Sequence, residues 1–442
     1  ETDTAGTESD TGSETDTESD TGVDPNVPTY FGDVLPIFAE ACENCHADGG
    51  IAPFVTNRYE DVVPWGPAIA AAVTARTMPP FLVDNSGTCE TFEHARWLSD
   101  DEVATIEAWV DADMPEGTLV GEAPSPPPPN DLVGEEIVTV STPAYTPTPK
   151  GTSDALYDDY RCFAVEIGNT ETKFLQGFEI EPGNAEIVHH VVGFKVDPNR
   201  KVIGDITNAG IMELLDGKDD EPGWECFGAA GENVLLEGVP ITWAPGVTAI
   251  NYPEGTGIRF EPGEILVVQM HYYLANSGGE DATGLRLSLA DSVDREGYLG
   301  IYDEFLFDGL SGGSAELEPG KESVVYAWDA ALSSFVGDAG GAEEVEVLGI
   351  LPHMHRRGQR MQVSYQTESS GEDADCGAYI ANWDFDWQQL FFYNEPPVLK
   401  PSDRIAVTCE WNTEGAANAI EPGFGSDNEM CLIGVYVAPK KP

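Results

Sequence analysis

The hydrophobic residues between Thr29 and Gly117 recur at the three-to-four spacing that places them on one face of a helix. The clearest helix follows a capping box, Ser99-Asp100-Asp101-Glu102, and its buried face is predicted to hold Val103, Ile106, Trp109 and Val110. Two further helices are expected, one near residues 34–38 and one in the Ala-rich run 69–77. The pattern predicts a small all-α domain over residues 29–118.

The apolar runs beyond residue 134 are short, rich in β-branched and aromatic residues, and separated by Gly, Pro, Asn and Asp. The clearest strand candidates are the runs 187–196, 265–274, 361–365 and 432–437. Two runs open alike, at Glu261 and at Lys400, which weakly indicates two similar halves. We therefore predict a multidomain chain whose helical domain precedes two all-β, jelly-roll-like antiparallel sandwiches, over residues 134–292 and 293–442.

Two segments without a buried pattern separate these units. Residues 1–28 are predicted to be a disordered acidic linker, because Glu1–Gly22 contain eight acids and no base. Residues 119–133 form a second linker, made semi-rigid by its prolines. An acidic Ser/Thr tract is typical of the spacer behind a bacterial lipoprotein anchor, although this chain contains neither a signal peptide nor a lipidated Cys. The expected location is periplasmic, cell-surface or secreted.

The charge and the hydropathy exclude some classes of partner. The net charge of −58, from 21 basic and 79 acidic residues, repels nucleic acid and anionic lipid. No apolar run reaches the roughly 20 residues of a membrane-spanning helix. We therefore expect no nucleic-acid binding, and membrane attachment only through a lost lipid anchor.

The segment Cys42-Glu43-Asn44-Cys45-His46 matches the attachment motif of covalent haem c, in which two thiols bind the vinyl groups and the imidazole is an axial ligand. A reduced CxxC pair or part of a zinc site is the alternative, but no second Cys/His pair stands nearby. Met78, in a Met-Pro-Pro turn, is the predicted second axial ligand, and Met114 competes with it. The order of motif, turn and closing helix resembles the small cytochrome c domains of environmental bacteria.

His353 and His355 lie two apart in a β-like run, so both rings leave the same face and can share one metal ion. A polar outer face is the alternative, and the neighbouring Arg356 and Arg357 would fit it too. A further segment, Ser426-Asp427-Asn428-Glu429-Met430-Cys431, favours the metal site.

Together the two segments resemble the dioxygen-binding copper site of the ascorbate-dependent type II copper monooxygenases, the family of peptidylglycine α-hydroxylating monooxygenase and dopamine β-monooxygenase. The resemblance implies that His353, His355 and Met430 are copper ligands and form the catalytic site. Two imidazoles and a thioether suit Cu(I), whereas zinc seldom uses methionine.

The segments around His189-His190 and His271 are similar to those that hold the electron-transfer copper of the same family. The resemblance implies that these three histidines bind a second copper ion. Adjacent histidines on a regular strand point to opposite faces, so a shared ion requires a local distortion; spacing alone favours one buried and one exposed ring.

The resemblance also implies two disulfides, Cys162–Cys226 in the first sandwich and Cys409–Cys431 in the second. Cys89 and Cys376 remain, either as a bridge between the helical and the last domain or as two free thiols. Disulfides and haem c maturation both require an oxidising compartment.

Six positions are assigned no role in substrate binding. The arginine that binds the substrate carboxylate in the peptidylglycine enzyme and a tyrosine near its methionine correspond to Leu351 and Gly434, so a role in peptide amidation is not expected. The alternation of Trp383, Phe385 and Trp387 predicts a strand with one buried face. His94 is expected to be an ordinary surface or capping histidine.

The expected function is C–H hydroxylation of a small molecule or peptide by O2, with two copper ions and a covalent haem c as cofactors. An ascorbate-like molecule or a redox protein would supply electrons, which the tethered haem would relay. The alternatives are an extracellular haem and copper electron carrier without oxygenase activity, and a purely structural sandwich protein.

Overall fold

The computed structural model describes residues 27–441, except 49, 51, 128–129, 151–155, 228, 246, 276, 314, 368–373 and 424–427. The linker prediction for residues 1–28 thus lies almost wholly outside the described residues. The described chain consists mostly of β-sheets with few helices, as expected for the two sandwich regions.

Short helices occur mainly at the N-terminal end of the described chain. The α-helices are α1 Leu35–Ala41, α2 Tyr59–Val62, α3 Gly66–Thr74, α4 Asp100–Asp111, α5 Asn208–Asp216, α6 Glu304–Leu310 and α7 Ser333–Val336. A π-helical turn at Tyr30–Val34 precedes α1, and 3₁₀ turns lie at Val63–Trp65, Ala339–Gly341 and Phe385–Trp387. Within the described ranges, no helix has the length and apolar character needed to cross a membrane.

The helical unit has its own small core. The predicted capping box is present at α4, where the Ser99 side chain accepts the Glu102 N–H and the Glu102 side chain accepts the Ser99 N–H. Trp109 on this helix is fully buried against Tyr30 and Phe38. Helix α3 begins three residues before the predicted Ala-rich run, because a proline fits the first helical turn.

The segment between α3 and α4 leaves the helical unit and packs on the last sandwich. Phe81, Leu82, Val83 and Phe92 belong to the hydrophobic core of residues from the C-terminal half. The backbone N–H of Asp84 and of Glu93 donates to Tyr379 and Phe392 carbonyls, and Cys89 is disulfide-bonded to Cys376. The range 29–118, predicted as one all-α domain, is therefore divided between two cores.

Twenty-one strands are present in the described chain. They are β1 Glu136–Ser141, β2 Asp158–Glu166, β3 Lys173–Glu181, β4 Val188–Val196, β5 Lys201–Ile203, β6 Ile206–Thr207, β7 Trp224–Glu225, β8 Gly238–Trp243, β9 Ile250–Asn251, β10 Thr256–Phe260, β11 Ile265–Tyr273, β12 Gly284–Ala290, β13 Arg295–Tyr302, β14 Val324–Ala331, β15 Val345–His353, β16 Gly358–Gln366, β17 Asp375–Ile380, β18 Phe391–Phe392, β19 Val398–Leu399, β20 Arg404–Trp411 and β21 Leu432–Pro439.

One large sheet is common to both halves of the β-region. Its strand order is β1-β12-β3-β10-β13-β21-β15-β18, with β9 beside β3 and β19 beside β15. A five-stranded sheet, β7-β2-β11-β4-β8, shares the first core with this sheet, and a four-stranded sheet, β14-β20-β16-β17, shares the second. The sheets are antiparallel as predicted, except that β10 and β13 pair in parallel and join the two sandwiches.

Two more disulfides fix strands in these cores. Cys162 on β2 is bonded to Cys226, and Cys409 on β20 is bonded to Cys431, the two pairings that the resemblance implied. All four half-cystines are buried, so each bridge crosses the interior of its own sandwich.

Replacing Trp109 by Ala should destabilise the helical unit by about 3–5 kcal/mol, because it removes the largest buried side chain of that core. Denaturant titration followed by far-ultraviolet circular dichroism measures the change. Val120→Ala, at a residue that is 90% exposed, is the control. Equal stability of the two variants would contradict a separate helical core.

Candidate functional site

Three histidines of the first sandwich converge on one point. His271 lies on β11, the central strand of the five-stranded sheet, directly opposite His190 on β4. The Nδ1 atoms of His190 and His271 are 3.1 Å apart, and the Nδ1 of His189 is buried without a hydrogen-bond partner in the described chain. Together with Asp386 the three form a group whose ligand atoms all lie within 4.8 Å of one another. This donor set fits a single metal ion.

A β-bulge makes this convergence possible. His190 pairs with His271 on β11, whereas the next pair joins Val188 to Tyr272, so His189 is left without a partner in the ladder. The extra residue turns the strand locally and lets adjacent side chains point to the same side. This is the distortion that two neighbouring histidines require in order to share one ion.

The protonation states in this group also suit metal binding. Burial lowers the pKa of His190 and of His271 well below its ordinary value, and neighbouring imidazoles act in the same direction. Both rings are therefore neutral near pH 7, as metal-ligating imidazoles are. The remaining ring nitrogen of His271, Nε2, is 3.5 Å from Asp158 Oδ1 on β2, a position from which a carboxylate orients a ligating histidine.

A second pair of histidines lies at the end of β15. The strand ends at His353, so His355 follows it rather than belonging to it as predicted, but the two ring centroids are still only 5.2 Å apart. The Nδ1 atom of His353 contacts Gln388 Oε1, and that of His355 is 2.9 Å from the Asn428 carbonyl. The His353 Nε2 atom is buried without a hydrogen-bond partner in the described chain. Burial lowers the pKa of His353 to about 4.

Glu429 ties the segment of Met430 to the histidine pair. Its buried carboxylate accepts the backbone N–H of His355 at 2.9 Å, that of Arg357 at 2.7 Å, and the indole N–H of Trp411 at 3.0 Å. Burial raises the pKa of Glu429 to about 7, although these donors favour the charged form. Met430 follows directly and is itself buried. The segment that carries Met430 is thus bound to the backbone of the His355 loop through Glu429, while Asp427 lies outside the described residues.

Aromatic rings fill the space between the two histidine groups. The Phe385 ring is 6.0 Å from His190, 6.4 Å from His353 and 6.1 Å from His355. A second chain of contacts leads from His271 through Tyr160, stacked at 4.2 Å, and Phe227 to His355. The predicted strand through Phe385 is wrong: these residues form a 3₁₀ turn between the two sites.

An ion pair closes the same cleft. Arg356, the residue after His355, donates to Asp158 of the first sandwich and to the Tyr160 hydroxyl, and its guanidinium lies 5.5 Å from the Phe385 ring centroid. The alternative interpretation of the histidine pair as a polar outer face is therefore wrong.

The sequence predicted the histidines but not their neighbours Asp158, Phe385 and Gln388, which only the fold brings to them.

The family comparison matches this part of the chain. Residues 340–440, which include the histidine pair and Met430, match the family described as copper type II ascorbate-dependent monooxygenase, C-terminal domain. Over these residues the chain is similar to the C-terminal domain of the copper type II ascorbate-dependent monooxygenases.

Similar proteins extend the match beyond this domain. DBH-like monooxygenase protein 1 of Mus musculus is 24% identical over 276 residues, which cover 59% of this chain and 41% of the relative. Tyramine beta-hydroxylase of Caenorhabditis briggsae is 23% identical over 267 residues, which cover 59% of this chain and 41% of the relative. Dopamine beta-hydroxylase of Bos taurus is 24% identical over 208 residues, which cover 46% of this chain and 33% of the relative. The chain thus spans about two-fifths or less of these relatives. Among solved structures, that of infectious bursal disease virus Gt strain covers 71% of this chain and 79% of its own at 10% identity, and its TM-score of 0.15 carries no inference.

The predicted haem residues lie in the helical unit, which the copper monooxygenase family match does not include. Cys42 and Cys45 are both free, and the His46 Nδ1 is 3.1 Å from the Phe54 carbonyl, which directs Nε2 away from this contact. Met78 is 40% exposed, whereas the Met114 side chain packs against Gly66 in the helical core. His94 is exposed, as expected of an ordinary surface histidine.

Replacing Glu429 by Gln should loosen the loop of the histidine pair, because an amide cannot accept all three N–H groups that the carboxylate accepts. We expect the variant to lose metal from the His353/His355 site and to keep it at the three-histidine site. Its free energy of unfolding should fall by about 1–3 kcal/mol for each unpaired donor, with a lower unfolding temperature. Metal analysis and calorimetry test this. Glu421→Gln, an exposed carboxylate nearby, should change neither quantity; unchanged metal content in E429Q would contradict the assignment.

Proposed function

We propose that this chain is a copper-dependent monooxygenase that hydroxylates an organic substrate with O2. His353, His355 and Met430 hold the copper ion at which O2 reacts, and His189, His190 and His271 hold the second. The observation that carries the proposal is the presence of two separate groups of histidines on either side of one aromatic cleft, in a chain whose residues 340–440 match the copper monooxygenase family.

Copper supplies one-electron redox chemistry at each site and O2 activation at the thioether site. The overall reaction consumes the substrate C–H bond, one O2, two electrons and two protons, and it gives an alcohol and one water. The protein residues orient the imidazoles: Gln388 and the Asn428 carbonyl contact the rings of one site, and Asp158 contacts His271 at the other. The rings of Phe385, Phe227 and Tyr160 lie between the two histidine groups.

We infer that the chain does not act in peptide amidation, the role of part of the family. Leu351 and Gly434 occupy the positions of the peptidylglycine enzyme's carboxylate-binding arginine and of a tyrosine near its methionine, and they are paired with each other between β15 and β21. A Cβ atom on Gly434 would lie 3.0 Å from the Leu351 Cβ, so a tyrosine there would require Leu351 to shift. We infer a small molecule or a peptide that is not recognised through a terminal carboxylate at these positions.

The helical unit is the proposed haem c domain. Cys42 and Cys45 would bind the haem covalently, His46 would be one axial ligand and Met78 the other. Two free thiols beside an imidazole whose Nδ1 is already engaged support this assignment. The partly buried Met114 side chain packs against Gly66 in the helical core, which favours Met78 as the second axial ligand.

The contacts of this unit suggest where its electrons would go. Cys45 Sγ is 3.9 Å from the Pro245 carbonyl of the first sandwich. Pro245 follows Trp243 by two residues, and Trp243 pairs with Val191, the neighbour of His190. A cavity of about 820 Å³, bordered by Asn44, Arg96, Val247 and Phe391, shows that the helical unit and both sandwiches adjoin one another. We propose that haem electrons reach the three-histidine site first, after an ascorbate-like donor or a redox protein has reduced the haem.

The location proposed for this enzyme is outside the cytoplasm. Three disulfides support an oxidising compartment, since such bonds are rare where thiols are kept reduced. A bacterial source and a lipid anchor stay predictions from the acidic tract.

The decisive test of the function is the copper content per haem, the Cu(II) EPR spectrum and the coupling of O2 consumption to product in one reconstituted preparation. Two coppers per haem, uncoupled mononuclear signals and one hydroxylated product per O2 are expected. Reversible redox cycling without any product would instead favour the electron carrier. One copper or fewer, or a coupled EPR-silent pair, would contradict both copper assignments.

Replacing Met78 by Ala should lower the haem reduction potential, because a thioether ligand raises it, and should slow copper reduction while copper binding stays intact. Potentiometry and stopped-flow reduction measure the two effects. Met114→Leu, a volume-conserving change in the helical core, should alter neither. A lowered potential in M114L but not in M78A would assign the axial position to Met114.

A further inference from the structure

We propose that Asp386 is a fourth ligand of the copper ion held by His189, His190 and His271. The second sandwich would thereby supply a carboxylate to the metal site of the first. The inference rests on the proposed function, since it takes copper as the ion bound there.

The geometry places Asp386 on the open side of the three-histidine group. Its Oδ1 is 3.9 Å from the otherwise unpartnered Nδ1 of His189, and all four ligand atoms lie within 4.8 Å of one another. Two atoms that are each about 2 Å from a shared ion lie roughly 3 to 4 Å apart. The His190 to His271 separation of 3.1 Å and the His189 to Asp386 separation of 3.9 Å both meet this requirement.

The 3₁₀ turn holds Asp386 in this position. The side chain of Asp384 caps the turn by accepting the Asp386 N–H at 3.0 Å, and the Gln388 amide donates to the Phe385 carbonyl at 2.6 Å. On either side of Asp386, the Trp387 ring is 6.4 Å from His189 and the Phe385 ring is 6.0 Å from His190. The carboxylate therefore projects from a turn that packs against the histidines at two points.

A second carboxylate near this group, Asp158, has a different role. It lies 3.5 Å from the Nε2 atom of His271, the ring nitrogen opposite the one that joins the group, and Arg356 pairs with it. Asp386 instead lies on the Nδ1 side and forms no ion pair with Lys or Arg anywhere in the described chain. Asp158 is thus placed to orient a ligand, and Asp386 to be one.

A carboxylate ligand would make the two copper sites favour different oxidation states. Hard oxygen and imidazole donors favour Cu(II), whereas the thioether of Met430 favours Cu(I) at the other site. The anionic ligand would also offset more of the charge of Cu(II) than of Cu(I). We therefore expect the lower reduction potential at the His189/His190/His271 site, so that electrons pass spontaneously toward the site of O2 chemistry.

The test compares the full-length chain with Asp386→Asn, both in a background of His353→Ala and His355→Ala so that only the three-histidine site takes copper. The D386N change should weaken Cu(II) binding by about tenfold or more, alter the Cu(II) EPR parameters and raise the copper reduction potential. Glu186→Gln is the matched control: it removes one exposed negative charge three residues before His189, and it should leave all three quantities unchanged.

Two outcomes overturn the inference and are distinguishable from each other. Identical EPR parameters, affinity and potential in D386N and its parent would show that the three histidines bind copper without Asp386, which leaves the proposed function standing. Failure of the parent to bind one copper would remove the proposed function as well. Because the Asp386 side chain is 42% exposed, metal-free D386N should melt at the temperature of its parent, which excludes misfolding as the cause of any loss.

Discussion

The structure depends on the parallel pairing of β10 with β13, because this pairing forms one continuous sheet that belongs to both sandwiches. Backbone hydrogen bonds between these two strands resist sliding of one sandwich against the other, so the two halves hold a defined orientation. The histidines at the end of β15 lie in this shared sheet, and those of β4 and β11 lie in the five-stranded sheet that packs against it. Their separation across Phe385 is therefore a property of the whole β-region and not of a hinge between two independent domains.

Buried carboxylates complete this arrangement at three places. Glu429 accepts three N–H groups around the histidine pair, and Asp303 holds the Cys431 N–H next to Met430. Asp158 joins the two sandwiches through Arg356. A buried charge is costly unless it is paired or hydrogen-bonded, so each of these residues is tied to a specific set of donors. They restrict the metal-ligand segments far more than the apolar core alone would.

The helical unit is attached to this β-region rather than tethered at a distance. Phe81, Leu82, Val83 and Phe92 lie in the core of the second sandwich, a disulfide joins Cys89 to Cys376, and Cys45 contacts the first sandwich at Pro245. A redox group on the CxxCH motif would therefore keep a constant distance from the three histidines. A fixed separation between this redox group and the three histidines, rather than the length of a linker, would make electron transfer between them efficient.

The sequence by itself determined the local features: the capping box of α4, the main strands, the histidine groups, and through family resemblance the disulfide pairings of Cys162 and Cys409. These follow from short-range spacing or from contiguous motifs, which a single chain displays directly. Only the tertiary structure decided which residues far apart in the sequence are in contact, such as Asp386 beside His189 and Arg356 beside Asp158. No local pattern relates residues about 200 positions apart. The turn at Phe385 had the alternation of a strand, but packing between two histidine groups overrode that preference, because propensity yields to tertiary contacts.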